Sequence, residues 1–316
     1  MPILTLDDFR KLRDKLTEGQ SLGARFWGAS AKRAAAAWHQ TESPPRHWYN
    51  VPWVQERLNT CATGRADVDH RDYVAETYLK GGHKTALSMG CGAGSKELAW
   101  AKTGVFERID AFDLSPNRIR EAIVKAETAG FVDLLHFQVG DATTFHPPQS
   151  AYDVVIAEAS LHHFSGLKAL NPRLHNWLKP DGLLVLHEYV GPARFQWTPE
   201  QLREANALLA KLPDTHRTVW GHSRLKSRCY QPGRLAMWLN DPSEAVESDQ
   251  ILPLLRQHFR EVEVRALGGT LLHLLLADIA HHFITPDETA LSLLREAAAT
   301  EDRMEVSDFV FAVFRR

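Results

Sequence analysis

Residues 86–94 of the 316-residue chain read A-L-S-M-G-C-G-A-G. A short apolar run leads into a glycine-rich turn, and a helix-forming run follows over 95–102. This order is typical of the strand–turn–helix opening of a nucleotide-binding α/β unit, in which glycine lets the backbone approach a ligand closely. Asp113 comes nineteen positions after Gly94 and closes the strand-like stretch I-D-A-F-D. A carboxylate there can accept hydrogen bonds from both hydroxyls of a ribose.

The spacing of the glycines indicates which kind of nucleotide is bound. Gly90, Gly92 and Gly94 form G-x-G-x-G, whereas dinucleotide enzymes favour G-x-G-x-x-G. The chain contains no G-K-[ST] sequence, so a P-loop that cradles phosphate is not expected. The pattern resembles motif I of the class I S-adenosylmethionine-dependent methyltransferases.

The resemblance continues in order along residues 84–190. V-G-D-A over 139–142 resembles the segment whose Asp holds the adenine amino group, and Y-D-V-V-I-A-E-A-S-L-H-H-F over 152–164 resembles motif IV. L-K-P-D-G-L-L-V-L over 178–186 resembles the turn and fifth strand of the family. The resemblance implies S-adenosylmethionine as the cofactor, held by Gly90, Cys91, Gly92, Gly94, Asp113, Leu114, Asp141, Ala142 and Glu158.

The sequence departs from the family at one position. The family usually carries Asp or Glu where this chain has Ser88, near the methionine end of the cofactor. A serine can still form a hydrogen bond there through water, which leaves the contact to the cofactor ammonium unassigned.

Composition excludes several classes of partner. The 39 acidic and 37 basic residues nearly cancel, so no basic surface suggests nucleic acid. No run of eighteen apolar residues exists, so a membrane partner is not expected either. The N-terminus lacks the pattern of a secretory signal, and three widely spaced cysteines fit a reducing compartment. We therefore expect a cytoplasmic protein.

The order of predicted elements gives the fold class. Helices are predicted over 5–39, 51–62 and 67–80, and strands and helices then alternate from 85 to 189. Alternation of this kind predicts an α/β, Rossmann-like, doubly wound parallel sheet, and the resemblance implies seven strands ending in an antiparallel hairpin. We predict a helical N-terminal cap over 1–80 and a methyltransferase domain over 81–316, with a cap insertion at about 192–250. A helix is also predicted over 270–283 and a last strand over 307–314.

The chemistry requires a base near the methyl group. A methyl group on a sulfonium is already electrophilic, so the protein has to align a nucleophile and remove its proton. Three residues after the fourth and fifth strands are candidates: His163, His162 and Glu188. In the alternative interpretation, one histidine ring only packs beneath the cofactor. Sixteen histidines suggest a metal, but no H-x-x-x-H pair stands out, and we predict none.

Substrate contacts are predicted after the fifth strand and in the insertion. The candidates are Tyr189, Arg194, Trp197 and His222. The run G-H-S-R-L-K-S-R over 221–228 has two interpretations. In one, Arg224, Lys226 or Arg228 contacts an anionic substrate. In the other, the run forms a solvated face. The segment L-N-D-P-S-E-A-V-E-S over 239–248 is too specific in composition for a plain linker.

These predictions point to methyl transfer to a small-molecule acceptor. A hydroxyl of a sugar or secondary metabolite is the first hypothesis, and methyl transfer to nitrogen or carbon is the second. A non-catalytic cofactor-binding regulatory protein is the third. The sequence does not name the acceptor atom, and it leaves a homodimer open.

Overall fold

The computed structural model describes residues 47–316, together with Thr5 and Asp8. The helix predicted over 5–39 therefore lies, apart from those two residues, outside the described part. Two helices precede the sheet, α1 (Pro52–Thr63) and α2 (His70–Tyr78), as predicted over 51–62 and 67–80. None of the helices in the described residues is long and apolar enough to cross a bilayer.

Strands and helices then alternate through the centre of the chain. They are β1 (Lys84–Met89), α3 (Ser95–Lys102), β2 (Phe106–Asp113), α4 (Pro116–Ala129), β3 (Leu135–Val139), β4 (Tyr152–Glu158), α5 (Leu167–Trp177) and β5 (Leu178–Tyr189). The remaining elements are α6 (Pro199–Leu209), α7 (Arg234–Asn240), α8 (Ile251–Leu255), β6 (Arg260–Gly268), α9 (Leu272–Leu276), α10 (Glu288–Met304) and β7 (Phe309–Arg315).

The seven strands form one sheet in the order β3-β2-β1-β4-β5-β7-β6. Strands β1 to β5 are parallel, and β7 lies antiparallel between β5 and β6. The predicted fold class is therefore confirmed, including the antiparallel hairpin at the end. Strand order reverses direction between β1 and β4, and ligands of open α/β sheets bind in the crevice at that point.

Local sequence explains where the helices beside this crevice begin and end. Ser115 precedes α4, its hydroxyl accepts a hydrogen bond from the backbone N–H of Arg118, and Pro116 occupies the first helical position. Gly130 then ends α4 in the left-handed conformation. These caps fix the start of α4 directly after Asp113, so the end of β2 is held at the edge of the sheet.

Both faces of the sheet are buried. On one face Trp100, Ile156 and Val185 pack in a core with residues of α1, α6, α9 and α10. On the other face Leu87 and Val155 pack with residues of α5 and α8. Burial on both sides explains why the central strands read as continuous apolar runs instead of alternating.

Two predicted boundaries differ from the structure. Strand β5 begins at Leu178, earlier than the predicted start at 183. The helix predicted over 270–283 is broken into α9 and a 3-10 turn at 280–283, because Asp278 adopts a positive φ of 66°. The ammonium of Lys226 donates hydrogen bonds to the carbonyl oxygens of residues 274, 275 and 277 at this break. Lys226 therefore binds the end of α9, which does not fit its predicted contact with an anionic substrate.

Candidate active site

The glycine turn lies between the end of β1 and the start of α3. Gly90 and Gly94 have positive φ values of 66° and 78°. A Cβ on Gly90 would lie 2.9 Å from the Cβ of Ser160, and one on Gly94 would lie 2.7 Å from the Cβ of Ala122. Side chains at these positions would therefore push the turn away from its neighbours. Glycine keeps the backbone of the turn at the crevice between β1 and β4.

Asp113 lies beside this turn at the end of β2. One of its carboxylate oxygens accepts a hydrogen bond from the backbone N–H of Gly92 at 2.9 Å. The other accepts one from the backbone N–H of Ser115 at 2.8 Å. The carboxylate is thus fixed at the predicted ribose position by the turn and by the start of α4, with Leu114 half-buried between them.

The predicted adenine contact lies in the next loop. The backbone N–H of Gly140 donates to the carbonyl oxygen of Asp113 at 3.0 Å, which joins the loop after β3 to the end of β2. In that loop the carboxylate of Asp141 accepts hydrogen bonds from the backbone N–H and hydroxyl of Thr143, both at 2.8 Å. Ala142 is buried behind it. The two acidic residues predicted to hold the nucleoside therefore lie on adjacent loops.

The carboxylate of Glu158, another predicted cofactor contact, is held by protein groups at the end of β4. It accepts hydrogen bonds from Arg71 Nη2 and from Trp100 Nε1, both at 2.5 Å, and it lies 3.1 Å from His70 Nε2. Burial raises the pKa of Glu158, but the charges of Arg71 and His70 outweigh it and leave the pKa well below its usual value. Glu158 therefore ties α2 to β4, and its direct contact with the cofactor stays a prediction.

Glu97 on α3 is a second buried carboxylate at this edge of the sheet. It accepts a hydrogen bond from the hydroxyl of Ser88 at 2.6 Å. Glu97 is not among the site residues predicted from the sequence, although a signal was present. Glu97, Trp100 and Ala101 follow the spacing of one buried helix face, and a carboxylate on such a face needs an explanation.

The two predicted histidines lie in the 3-10 turn over 161–163, directly after β4. Nδ1 of His162 donates to a carboxylate oxygen of Glu188, and Nε2 lies 3.6 Å from a carboxylate oxygen of Glu244. Burial lowers the pKa of His162, but Glu188 and then Glu244 raise it, and the net shift is upward. A neutral His162 held through Nδ1–H carries its free lone pair on Nε2.

Glu188 lies at the end of the fifth strand, as predicted, but its carboxylate faces protein groups. It is fully buried at the end of β5. One oxygen accepts hydrogen bonds from the backbone N–H groups of Ser160 and Leu161, at 2.8 and 2.6 Å. The other accepts from the backbone N–H of Tyr189 at 2.8 Å as well as from His162. This arrangement does not fit a base that touches the acceptor, and it fits a carboxylate that orients His162.

The segment 241–248 covers the histidines, so its unusual composition has a structural reason. The backbone N–H of Val246 donates to the carbonyl oxygen of His162 at 3.2 Å, and the Ser243 hydroxyl lies 3.4 Å from His163 Nδ1. Burial, together with the neighbouring His162, lowers the pKa of His163 well below its usual value. His163 is therefore the weaker base of the two.

Three side chains here have the composition of a metal site. His162, His163 and Glu244 each offer a ligand atom, and these atoms all lie within 4.8 Å of one another. Two histidines and one carboxylate suit several transition metals. No spacing pattern indicates this cluster, because Glu244 is far from the histidines along the chain, and the predicted absence of a metal stays a prediction.

Of the four predicted substrate residues, Tyr189 lies beside His162, Arg194 contacts the segment that carries Glu244, and Trp197 packs within the loop after β5. The Tyr189 ring lies 6.0 Å from the ring of His162, and its hydroxyl donates to the carbonyl oxygen of residue 192. The guanidinium of Arg194 donates to the carbonyl oxygen of Glu244 at 3.1 Å. Trp197 stacks on the ring of residue 195 with an interplanar angle of 7°. The fourth residue, His222, lies two positions after Trp220. The centre of the Trp220 ring is 5.0 Å from the centre of the His281 ring.

Comparisons with known proteins identify the domain that carries this site. Residues 86–182 match the family model of a methyltransferase domain. Phosphoethanolamine N-methyltransferase 1 of Arabidopsis thaliana is 32% identical over 120 residues, which are 38% of this chain and 23% of that protein. Erythromycin 3''-O-methyltransferase of Saccharopolyspora erythraea is 29% identical over 104 residues, 33% of this chain and 34% of that protein. The chain thus spans a minor part of the length of these relatives.

A solved structure extends the likeness of the fold. Geranyl diphosphate C-methyltransferase from Streptomyces coelicolor A3(2) superposes with a TM-score of 0.54 at 12% identity, over 92% of this chain and 98% of that one. Residues 86–182 therefore carry a methyltransferase domain, and the chain resembles the class I S-adenosylmethionine-dependent methyltransferases. S-adenosylmethionine is the cofactor of this family.

Proposed function

We propose that this protein transfers a methyl group from S-adenosylmethionine to a hydroxyl of a small-molecule acceptor, such as a sugar or a secondary metabolite. One observation carries the proposal. His162 is oriented through Nδ1 by the buried carboxylate of Glu188, and it follows Ser160, which packs against Gly90 of the glycine turn. A hydroxyl needs such a base, since it is a poor nucleophile until it loses its proton.

The residues present fit the cofactor. The close contacts at Gly90 and Gly94 leave room for backbone only, and Asp113 and Asp141 offer carboxylates on adjacent loops. In addition, a buried carboxylate oxygen of Glu97 has no hydrogen-bond partner among the described residues. When bound, S-adenosylmethionine supplies an electrophilic methyl group on a sulfonium.

In the proposed reaction, Nε2 of His162 would take the proton of the acceptor hydroxyl as the acceptor oxygen forms its bond to the methyl carbon. The bond from that carbon to sulfur would break, and S-adenosylhomocysteine would be the leaving group. The carboxylate of Glu188 holds the ring and stabilises the imidazolium that forms. The proton then leaves His162 for solvent, which restores the base. General-base assistance of this kind contributes about 10²–10⁴-fold to the rate.

We also propose that residues 1–80 and 192–250 close over the site. Three contacts support this part of the proposal. Arg71 binds Glu158 at the end of β4, and Val246 binds the backbone of His162. The carboxylate of Asp8 accepts a hydrogen bond from the backbone N–H of Gly233 at 3.0 Å, which joins the N-terminal part to the insertion.

The test measures S-adenosylhomocysteine release by mass spectrometry with a panel of sugars, alcohols, phenols and amines. We expect turnover of a hydroxyl compound, and NMR of the product identifies the methylated atom. His162→Ala should lower turnover by about 10²-fold or more, whereas His146→Ala, at an exposed position, serves as the matched control and should not.

Each alternative gives a different result. If the product carries the new methyl group on nitrogen or carbon, the protein is an N- or C-methyltransferase and the proposal of a hydroxyl acceptor is wrong. Tight binding of S-adenosylhomocysteine without turnover of any class in the panel would favour the regulatory protein. Full turnover in His162→Ala would show that His162 is not the base, and His163 would be the next candidate.

A further inference from the structure

The position that departs from the family lies at the crevice of the sheet. Ser88 is the fifth residue of β1 and is buried, with 3% of its surface exposed. Class I methyltransferases usually carry a carboxylate there, near the methionine end of the cofactor. The Ser88 hydroxyl instead donates a hydrogen bond of 2.6 Å to Oε1 of Glu97. A carboxylate is therefore present beside position 88, although it comes from α3.

The second oxygen of this carboxylate has no partner. Glu97 is 0% exposed, and its Oε2 makes no hydrogen bond among the described residues. Buried polar atoms in native proteins are nearly always hydrogen-bonded, so an orphaned oxygen indicates a missing donor. A buried carboxylate without a cation or donor is also costly in free energy. Oε2 of Glu97 is thus a buried acceptor for which the described residues supply no donor.

The surroundings of Glu97 affect the ionisation of its carboxyl group. Burial raises the pKa of Glu97 to about 7, and the nearby charge of Glu158 contributes in the same direction, whereas Lys96 and the Ser88 hydroxyl lower it. The ammonium of Lys96 donates to the backbone carbonyl oxygen of Glu158. A cation bound at Glu97 would stabilise its ionised form.

The strand order puts Ser88, and with it the carboxylate of Glu97, between the predicted ribose contact on β2 and Glu158 on β4. Asp113, the predicted ribose contact, ends β2, and Ser88 and Glu158 lie near the ends of the next two strands, β1 and β4. Neighbouring strands are about 4.8 Å apart. A ligand with its ribose at β2 therefore extends its other end toward β1 and β4, beside Glu97.

We infer that Glu97, oriented by Ser88, binds the α-ammonium of S-adenosylmethionine and replaces the carboxylate that position 88 lacks. The inference rests on the proposed function, because it requires this cofactor. Ser88 and Glu97 act as one unit: the hydroxyl holds Oε1, and Oε2 accepts from the ammonium. Glu97 is thus a binding residue that determines cofactor affinity.

Calorimetry with three probes tests the inference without any methyl acceptor. The probes are S-adenosylhomocysteine, its analogue without the amino group, and 5′-methylthioadenosine, which lacks the whole amino-acid part. Wild-type protein should bind S-adenosylhomocysteine about 10- to 100-fold more tightly than the deaminated analogue, as expected for a hydrogen bond between charged groups. Equal affinities would overturn the inference and need no variant.

Two variants assign the effect to Glu97. Glu97→Gln keeps the size of the side chain and should weaken S-adenosylhomocysteine about 10- to 100-fold while leaving 5′-methylthioadenosine unchanged. Adding Ser88→Asp to Glu97→Gln returns a carboxylate to the family's position and should restore affinity. Glu127→Gln, on the exposed side of α4, is the matched control.

The outcomes separate this inference from the proposed function. Loss of affinity for both nucleosides in Glu97→Gln would mean that Glu97 only supports the fold, which overturns the inference. Unchanged affinity for S-adenosylhomocysteine in that variant would overturn it too. Wild-type protein that binds neither S-adenosylhomocysteine nor 5′-methylthioadenosine would overturn the proposed function and the inference together.

Discussion

The pairing of His162 with Glu188 makes a sharp prediction for Glu188→Gln. The carboxylate accepts four hydrogen bonds, two at each oxygen. A glutamine has one acceptor oxygen, and its amide NH₂ would face two of the four donors. Each buried donor left unpaired costs about 1–3 kcal/mol, so the variant should lose about 2–6 kcal/mol of unfolding free energy. A domain with a total of about 5–15 kcal/mol should survive a loss near the lower end of that range.

The same substitution should change the pH profile. Glu188 is the main group that raises the pKa of His162 above its usual value of 6.5. A base works only when deprotonated, so the wild-type rate should rise with pH and reach half its maximum above pH 6.5. Without the negative charge of Glu188, the pKa of His162 falls, and the midpoint should move to lower pH. The maximal rate should fall as well, because the ring loses its orientation.

Stability should follow the same linkage. The pKa of His162 is raised in the folded state, so its contribution to stability is fully present below its unfolded pKa and is lost as pH rises through the folded value. The free energies of unfolding of wild type and Glu188→Gln, measured with urea, should therefore differ most below about pH 6.5. Glu127→Gln again provides the control for an exposed carboxylate. The reasoning is refuted if Glu188→Gln keeps both the pH midpoint and the unfolding free energy of the wild type.

Three further predictions concern the cofactor, the cap and metal. Asp113→Ala should weaken S-adenosylhomocysteine by about 1.5–3 kcal/mol for each hydrogen bond lost to ribose, and unchanged affinity by calorimetry would contradict the ribose contact. Residues 192–250 should exchange amide hydrogens faster than β1 to β5, and adding S-adenosylhomocysteine should slow this exchange; equal protection with and without ligand would argue against a closing cap. Treatment with EDTA should leave turnover intact if His162 is a base, whereas loss of turnover that zinc or manganese restores would make the histidines and Glu244 metal ligands.

The sequence determined the elements whose signals are local. Five ordered strand-like runs, the glycine turn and the cap formed by Ser115 and Pro116 all act over a few residues, and the structure contains each of them. The parallel sheet followed because alternating strands and helices have few other ways to bury their apolar faces. The helix predicted over 270–283 was wrong, because the positive φ at Asp278 and the cap from Lys226 depend on residues far along the chain.

The candidate site was decided by tertiary structure. His162 meets Glu188 and Glu244, and Glu158 meets His70 and Arg71, across separations in sequence that no spacing pattern encodes. The sequence named Glu188 as a base because it ends a strand, but only packing shows that its oxygens are occupied. Side-chain roles depend on which groups meet in a buried space, and the chain reaches that arrangement only when the sheet and its helices have packed.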